Sequence, residues 1–212
     1  MIDPPLSGFT NAITYVFVGL TYVADGLVVA AILLGLAALF FRAARDSVDR
    51  VVYAIGPYAR PFAFVVAAVC MSGSLYYSLG AHFTPCEMCW YQRICMYPLV
   101  IVLGVAAWKR ERSARLIGFF LVGIGIVLSS YHWALERGWV ESATACSLSV
   151  PCSVPWFTVG GFMTLAWMAL SGFLLIGLLL LVDVRYEQFP DAPDTAEDGT
   201  LLAAPPLEVN AP

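Results

Sequence analysis

The sequence predicts an all-α membrane protein with five transmembrane helices. Of its 212 residues, 60% are hydrophobic and only 12% are charged, whereas a soluble domain carries about 25% charged residues. Several apolar stretches reach the roughly 20 residues that cross a hydrocarbon core of about 30 Å. The few basic residues cluster at the ends of these stretches, as membrane topology requires. We therefore expect a lipid bilayer as the surroundings and no nucleic-acid partner.

The predicted spans are long apolar runs separated by shorter polar segments. They are residues 15–41, 61–79, 90–108, 116–133 and 157–182. The first run is longer than the roughly 7–15 residues of a signal-peptide core, and no basic segment precedes it. We therefore interpret it as a retained helix, which gives five crossings in total.

Lysine and arginine alternate between the predicted loops, and this alternation sets the orientation. The first and third loops are basic, with the cations Arg42, Arg45, Arg50, Arg60, Lys109, Arg110, Arg112 and Arg115. The segment 80–89 has no cation, and the segment 134–156 has only Arg137. Because cytoplasmic loops carry the excess of Lys and Arg, we predict a multi-pass protein of the inner or plasma membrane. Its N-terminus would lie outside and its C-terminus in the cytoplasm.

Composition divides the chain into three parts. Residues 1–59 contain an extra N-terminal transmembrane helix and a basic cytoplasmic loop, and residues 60–183 contain the other four helices. From 184 to 212 the chain is rich in acidic residues and proline, a mixture that buries too little apolar surface to become ordered. We expect this last part to be a disordered cytoplasmic tail without a catalytic role.

Four of the six cysteines fall on the predicted outer side, in two closely spaced pairs. Cys86 and Cys89 form a CxxC motif, and Cys146 and Cys152 are separated by five residues. Disulfides persist on the oxidising side of a cell membrane, and four cysteines can pair in three ways. The other two cysteines fall within predicted spans, where we interpret them as small buried apolar residues.

The CxxC motif has the position of a reactive dithiol. Pro85 precedes it and an apolar helical run follows at once, which puts the pair in the first turn of a helix. Free backbone N–H groups and the positive end of the helix dipole favour a thiolate there. Cysteines in such motifs exchange readily, and the short spacing allows an easily reduced disulfide.

Other interpretations of the cysteines stay open at this point. A structural zinc site needs four ligands, and the gap in the second pair is wide for zinc, so we predict no metal. Structural disulfides are a weak interpretation of the CxxC motif. They are a fair one for Cys146 and Cys152, whose short loop contains Pro151. Four cysteines on one face, in two pairs, argue against an incidental occurrence.

Two polar residues of the predicted spans are candidate partners of the thiols. Arg93 lies four residues after Cys89, one turn deeper on the same helix face, where a charge is costly and usually functional. It either stabilises a reduced, anionic electron acceptor and the Cys89 thiolate or extends to the membrane interface. His132, at the outer end of the fourth span, either supplies a proton to a reduced quinone or is an interfacial histidine. The role of Asp25, the only acid of the first span, stays open.

The residues from Pro85 to Arg93, with the sequence PCEMCWYQR, resemble a motif of the DsbB family of membrane thiol-oxidising proteins. The resemblance covers about residues 61–182. It includes Tyr131 and His132 at the end of the fourth span, and the second cysteine pair with the helix that follows. The short spacing of that pair is similar to the short-loop branch of the family. The resemblance implies a four-helix transmembrane bundle, to which this chain adds one N-terminal helix.

The resemblance also implies a quinone, ubiquinone or menaquinone, bound near the CxxC motif and drawn from the membrane quinone pool. Cys89 would interact with the quinone, and Arg93 matches the arginine implicated in quinone binding. Cys86 would exchange with the loop pair, in which Cys146 forms a mixed disulfide with a DsbA-like thioredoxin-fold partner and Cys152 links to Cys86. The implied function is a protein-disulfide:quinone oxidoreductase that reoxidises this partner and drives disulfide formation outside the cytoplasm.

Two other functions are compatible with the sequence. A quinone reductase of the vitamin K epoxide reductase type shares a helix bundle, a CxxC motif and a loop pair. It places the loop pair before the CxxC motif, the reverse of the order found here. A non-enzymatic membrane protein would use its external cysteines only as structural disulfides. The ease of disulfide reduction separates these classes, because structural disulfides resist mild reductant whereas a catalytic CxxC motif cycles with quinone.

Overall fold

The computed structural model consists of five long helices and one short two-stranded sheet. It describes residues 2–3, 8–109, 112–140 and 151–189. The helices are α1 (Gly8–Phe40), α2 (Arg42–Leu75), α3 (Glu87–Lys109), α4 (Arg112–Glu136) and α5 (Leu165–Tyr186), and a π-helical turn (Tyr76–Gly80) continues α2. The strands β1 (Ile2–Asp3) and β2 (Thr158–Val159) pair in antiparallel orientation. All five helices are long and apolar enough to cross a membrane, which confirms the predicted fold class.

The second helix begins far earlier than predicted. The sequence predicts a basic loop over residues 42–60, but α2 starts at Arg42 and runs through this segment. The reason is a stripe of buried positions, 52, 56, 59 and 63, which repeats at the spacing of one helix face. Hydropathy alone misses the helix because the first turns of this segment, which precede the stripe, carry the charged residues Arg42, Arg45, Asp46, Asp49 and Arg50. The predicted domain boundary at residue 60 therefore falls inside α2.

The fifth helix is displaced toward the C-terminus relative to the prediction. Residues 157–164 form β2 and a tight turn, in which Gly160 and Gly161 have φ angles of +61° and +76°, values that glycine adopts without strain. Thr164 caps α5 by accepting a hydrogen bond from the Trp167 backbone N–H at 3.3 Å. At the other end α5 continues to Tyr186, so the first residues of the predicted disordered tail are helical. Residues 190–212, the remainder of that tail, lie outside the described residues.

Four helices form a ring around one apolar core, and the fifth lies outside this ring. Neighbouring pairs in the ring are α2–α3, α3–α4, α4–α5 and α5–α2, whereas α1 packs against α2 and α5. Small residues of α2, fully buried Ala63 and Ala67, face larger side chains such as Leu99 and Phe173. This arrangement agrees with the predicted four-helix bundle plus one extra N-terminal helix.

A buried ion cluster ties three helices together at the basic end of the bundle. The Asp183 carboxylate of α5 lies 2.8 Å from Arg60 Nε of α2 and 3.2 Å from Arg115 Nη1 of α4. Glu187, just beyond α5, pairs with both arginines. Buried charges are tolerated when each is paired and hydrogen-bonded, as these are. The cluster explains why the chain stays ordered beyond the predicted start of the tail.

Aromatic side chains cover the opposite end of the bundle. Phe83, in the segment before α3, stacks on Trp156 with ring centroids 4.7 Å apart and planes inclined by 3°. Tyr77 also stacks on Phe83, with ring centroids 5.7 Å apart. The Tyr77 ring contacts Phe157 as well, which is fully buried. Through these contacts the segment that contains Cys152 is held over the start of α3.

A pair of glycines in α4 tests the close packing of α4 on α5. A Cβ atom at Gly125 would lie 2.3 Å from the buried Phe173 ring, whereas a Cβ atom at Gly123 would meet open space. We predict that Gly125→Ala lowers the free energy of unfolding by about 1–3 kcal/mol, the usual cost of overpacking. Gly123→Ala should be neutral or stabilise by up to about 1 kcal/mol through higher helix propensity. Thermal unfolding of both variants in one detergent provides the measurement, and equal destabilisation would contradict the packing.

Candidate functional site

The CxxC motif lies at the N-terminus of α3. Because α3 begins at Glu87, Cys86 holds the N-cap position and Cys89 lies in the first turn. The backbone N–H of Cys89 donates to Cys86 Sγ at 3.3 Å, in the manner of an N-cap side chain. The two cysteines are thiols with their sulfur atoms 2.9 Å apart. The Cys86 sulfur therefore occupies the place where the helix N-terminus favours negative charge.

His132 approaches the same sulfur atom from α4. Its Nε2 atom lies 3.6 Å from Cys86 Sγ, and its Nδ1 atom lies 3.2 Å from Gln92 Nε2. With the Gln92 amide donating to Nδ1, the ring proton is on Nε2 and points toward Cys86. The ring is buried, so water does not compete for this contact. His132 is thus placed to stabilise a Cys86 thiolate and to exchange a proton with it.

These contacts hold the pKa of the Cys86 thiol well below its ordinary value. The largest cause is the hydrogen bond from the Cys89 thiol, which burial of Cys86 opposes. The hydrogen bond from His132, together with the Cys89 backbone N–H, lowers the pKa further. The thiolate is the nucleophilic form of cysteine. In the dithiol state the reactive sulfur is therefore that of Cys86, whereas the sequence predicted a stabilised thiolate on Cys89.

A buried glutamate extends the polar network behind His132. Glu136 Oε1 lies 3.9 Å from His132 Nε2, and Glu136 Oε2 accepts a hydrogen bond from Thr164 Oγ1 at 2.5 Å. This places a second proton-exchanging group within reach of the imidazole. Neither Glu136 nor Gln92 was predicted from the sequence as a site residue. Glu136 follows His132 by four residues and Gln92 directly precedes Arg93, and these spacings are the signals that point to them.

Cys152 packs against the CxxC motif from the outer segment. It is disulfide-bonded and forms an apolar cluster with Cys86, Met88 and Leu135. Its backbone also contacts the His132 ring. The structure thus brings together three of the four predicted catalytic cysteines. Cys146, the fourth, lies outside the described residues, so its predicted role stays a prediction.

A cavity of about 340 Å³ opens on the other side of the CxxC motif. Its walls belong to α1, α2, α3 and α5 and are mostly apolar, and Cys89, Gln92 and Arg93 lie in its lining. Cys86 and His132 are not among the described residues that line it. Its volume falls within the range of about 300–1,000 Å³ for small-molecule sites. The two sulfur atoms of the motif therefore face different surroundings, with Cys86 toward Cys152 and Cys89 toward the cavity.

Arg93 is fixed in the wall of this cavity by contacts with α2. Its Nε atom donates to Ser74 Oγ at 2.9 Å, and its Nη2 atom donates to the Ser74 carbonyl oxygen at 3.1 Å and to Ser78 Oγ. The guanidinium also lies 5.2 Å from the Trp90 ring centroid. Within the described part of the chain these bonds leave Nη1 for an oxygen atom of a ligand. The side chain is thus held inside the bundle, which argues against extension to the interface.

The cavity suits a largely apolar molecule that carries a hydrogen-bond-accepting oxygen atom. Apolar side chains such as Val66, Met96 and Phe173 form most of the lining, and Arg93 adds a positively charged donor. A quinone head group is a flat, largely apolar ring with a carbonyl oxygen at each of two opposite edges, so the residues present fit the cofactor predicted from the sequence. His132, a predicted proton donor to the reduced quinone, lies against Cys86 and contacts Gln92 of the lining.

The thiols and the histidine also meet a geometric condition for binding a metal ion. One ligand atom from each of Cys86, Cys89 and His132 lies within 4.8 Å of the others. Structural zinc sites use four ligands, and this group offers three among the described residues. The predicted absence of a metal stays a prediction.

Asp25, in the middle of α1, has a hydrogen-bond partner in α5, although the sequence left its role open. Trp167 Nε1 of α5 donates to Asp25 Oδ2 at 2.9 Å. The bond joins the extra N-terminal helix to the ring of four helices. Asp25 is therefore an anchor of α1, close to residues of α1 that line the cavity.

Comparison with known proteins identifies similar sequences over the four-helix part of the chain. The model of the family described as disulfide bond formation protein DsbB matches residues 58–182. A probable disulfide formation protein of Oceanobacillus iheyensis is 44% identical over 124 residues, which cover 58% of this chain and 86% of that protein. Disulfide bond formation protein C of Bacillus subtilis is 39% identical over 114 residues, covering 53% and 83%. A probable disulfide formation protein of Coxiella burnetii is 34% identical over 127 residues, covering 59% and 86%. No solved structure matches this chain.

The two histidines of the chain test the origin of the lowered Cys86 pKa. We predict that His132→Asn raises this pKa, because the shorter amide loses the hydrogen bond supplied by the imidazole. The Cys86 thiolate would then be depleted below the ordinary thiol pKa of about 8.5. Alkylation of Cys86 by iodoacetamide, followed by mass spectrometry across a pH series, should accordingly slow in that range and recover at higher pH.

The matched control for this measurement is His82→Asn. His82 is exposed and has a φ angle of 56°, a conformation that asparagine tolerates. This variant should keep the pH profile of the unmodified protein. A wild-type profile in the His132→Asn variant would contradict the assigned contact.

Proposed function

The chain belongs to the DsbB family and is a multi-pass membrane thiol oxidoreductase, and from this premise we propose that it oxidises a DsbA-like thioredoxin-fold partner. The electrons pass to a membrane quinone, ubiquinone or menaquinone, so the activity is that of a protein-disulfide:quinone oxidoreductase. The consequence is disulfide formation in proteins outside the cytoplasm. The relatives from Oceanobacillus and Bacillus, by their names, act in disulfide formation.

One observation carries this proposal, namely the separation of the two CxxC sulfur atoms. Cys86 packs with Cys152 and His132, whereas Cys89 lines the cavity. Thiol–disulfide exchange requires direct attack of one sulfur on another, so each cysteine exchanges only with groups that it can reach. A dithiol that faces a second cysteine on one side and an apolar cavity on the other is arranged to relay electrons between them.

We propose exchange steps that the family resemblance implies and that the packing of Cys152 against Cys86 supports. The two thiols of the partner become a disulfide as the loop disulfide of Cys146 and Cys152 is reduced to two thiols. Cys152 then attacks Cys86 in the oxidised CxxC motif, which breaks the bond to Cys89 and releases its thiolate toward the cavity. Attack of Cys146 on Cys152 restores the loop disulfide and releases Cys86. Each complete exchange moves two electrons and two protons from one pair to the next.

The surroundings of Cys86 favour its release in the last of these steps. A thiol of low pKa is a better leaving group in disulfide exchange, and the pKa of Cys86 is lowered by Cys89, His132 and the helix N-terminus. The Nε2 proton of His132 points at the sulfur on which the negative charge appears. The Gln92 amide, which donates to Nδ1, holds the ring in this orientation.

The cavity residues would hold the quinone beside Cys89. When bound, a quinone supplies an acceptor for two electrons and two protons. Arg93 Nη1 is placed to donate to a carbonyl oxygen of the ring, and its positive charge favours the build-up of negative charge there. The bonds to Ser74 and Ser78 keep the guanidinium in this position.

We further propose that the CxxC motif lies on the non-cytoplasmic side of the membrane. Most Lys and Arg residues, which are at the start of α2, the end of α3 and the start of α4, lie toward the end of the bundle opposite the motif, whereas Arg93 and Arg137 lie near the motif. Cytoplasmic segments carry this excess of positive charge. Oxidation of a partner confined to the basic face of sealed vesicles would overturn this orientation.

Two cysteines of α3 provide the test of the proposed activity. The experiment uses the purified chain in detergent with a reduced thioredoxin-fold partner and a soluble quinone, whose reduction is followed by absorbance. We predict that Cys89→Ala abolishes partner-dependent reduction, because the relay then lacks its cavity-facing sulfur. Cys95→Ala should retain it, since Cys95 lies in the apolar core away from the motif.

The two outcomes of this assay have different meanings. Partner-dependent reduction retained by the Cys89→Ala variant would contradict the assignment of Cys89. Absence of quinone reduction by the unmodified chain, with its disulfides intact, would favour the non-enzymatic function in which the cysteines only stabilise the outer segments.

The same assay, run over a range of quinone concentrations, tests Arg93. We predict that Arg93→Gln raises the quinone KM about tenfold or more, because a hydrogen bond to a charged group contributes about 1.5–3 kcal/mol and each 1.4 kcal/mol is about tenfold. Exchange with the partner in the absence of quinone should be unchanged. Arg185→Gln is the control, since Arg185 is exposed at the other end of the bundle. An unchanged KM in Arg93→Gln would contradict the role of this residue.

A further inference from the structure

The N-terminal helix α1 supplies one wall of the cavity although it lies outside the family match. That match begins at residue 58, well after the end of α1 at Phe40. Five residues of α1 line the cavity, namely Phe17, Leu20, Thr21, Val23 and Ala24. The remaining lining belongs to α2, α3 and α5. The four-helix part of the chain therefore does not by itself enclose the cavity.

Buried polar contacts fix α1 against the bundle at the level of this cavity. The Tyr77 hydroxyl donates to Thr14 Oγ1 at 3.0 Å, with both side chains buried. Trp167 Nε1 donates to Asp25 at 2.9 Å. Hydrogen bonds between helices in apolar surroundings fix their relative position. Together the two bonds bracket the residues of α1 that line the cavity.

The packing of α1 on α2 also indicates that α1 is held against the bundle beside the cavity. A Cβ atom at Gly73 of α2 would lie 2.7 Å from the Phe17 ring, so Phe17 packs directly on the α2 backbone. The last buried residue of α1 is Val28, although the helix continues to Phe40. The closest packing of α1 on the bundle is therefore in the part of α1 that borders the cavity, and the positions after Val28 are at most partly buried.

We propose that α1 is a component of the quinone site and sets how tightly the quinone is held. This inference rests on the proposed function of the cavity and adds to it an element that the family match does not contain. Ala24 is the position to test, because it is only 7% exposed and lies in the lining between the two anchoring contacts. A larger side chain there would occupy part of the quinone's volume.

The test compares the same substitution at two positions of α1. Ala24 lines the cavity, whereas Ala30, six residues later, is exposed and outside the lining. The purified full-length chain is titrated with ubiquinone-1 and, separately, with menadione, and binding is followed by quenching of tryptophan fluorescence. We predict that Ala24→Phe weakens binding of the accepted quinone about tenfold or more. Ala30→Phe should bind as the unmodified chain does.

A second readout separates loss of binding from loss of the fold. Each variant is prepared oxidised and free of quinone, and its single-turnover oxidation of a reduced thioredoxin-fold partner is measured. This reaction uses only the cysteines, so we expect equal rates in all variants. If Ala24→Phe fails here, the smaller pair Ala24→Leu and Ala30→Leu decides the question with the same two measurements.

The outcomes distinguish this inference from the function on which it rests. Equal quinone affinity of the Ala24 and Ala30 variants, with binding by the unmodified chain, would overturn the role of α1 and leave the proposed function intact. Failure of the unmodified chain to bind either quinone would overturn the proposed function, and the inference with it.

Discussion

The start of α3 is the constraint on which the site depends. Because the helix begins directly after Cys86, this residue caps it and its sulfur points out of the helix, toward His132 and Cys152. Cys89, three residues later, is inside the first turn and points toward the cavity. If the sequence were shifted by one residue along this helix, both sulfur atoms would rotate by about 100° around the helix axis. One of these two contacts would then be lost. The position of a single helix end therefore determines both faces of the dithiol.

Polar contacts at the two ends of the bundle keep the surrounding helices in the register that this arrangement needs. At the basic end, Asp183 joins α5 to Arg60 of α2 and Arg115 of α4. Buried ion pairs add little net stability, but they can specify one arrangement over others. Because α4 is fixed at this end, His132 at its other end is brought to the level of Cys86. The ion cluster thus acts on the site through the rigid length of a helix.

Local sequence patterns were sufficient to predict the spans and the CxxC motif at a helix start, because these depend on hydropathy and on neighbours in the chain. The same holds for Arg93, whose position one turn below Cys89 follows from helix periodicity. The partner of His132 was not predictable, since contact with Cys86 rather than the cavity depends on how α4 is rotated against α3. The helical segment 42–60 was missed because the charged residues of its first turns indicate a loop, and the buried stripe begins only after them. Asp25 needed the position of α1 against Trp167, which no local pattern contains.

The position of α1 bears on a physical difficulty that any enzyme of this kind meets. In the proposed function the electron donor is a water-soluble protein and the electron acceptor is dissolved in lipid. The same dithiol must therefore be reached both from water and from the bilayer. Cys86 meets the first requirement through the outer segment that carries Cys152. The second requires an apolar cavity that admits a lipid-soluble molecule yet holds it beside Cys89. A ring of four helices leaves this side partly uncovered, and residues of α1 between Phe17 and Ala24 supply the missing wall. Beyond Val28 the residues of α1 are at most partly buried, so α1 packs most closely on its neighbours beside the cavity.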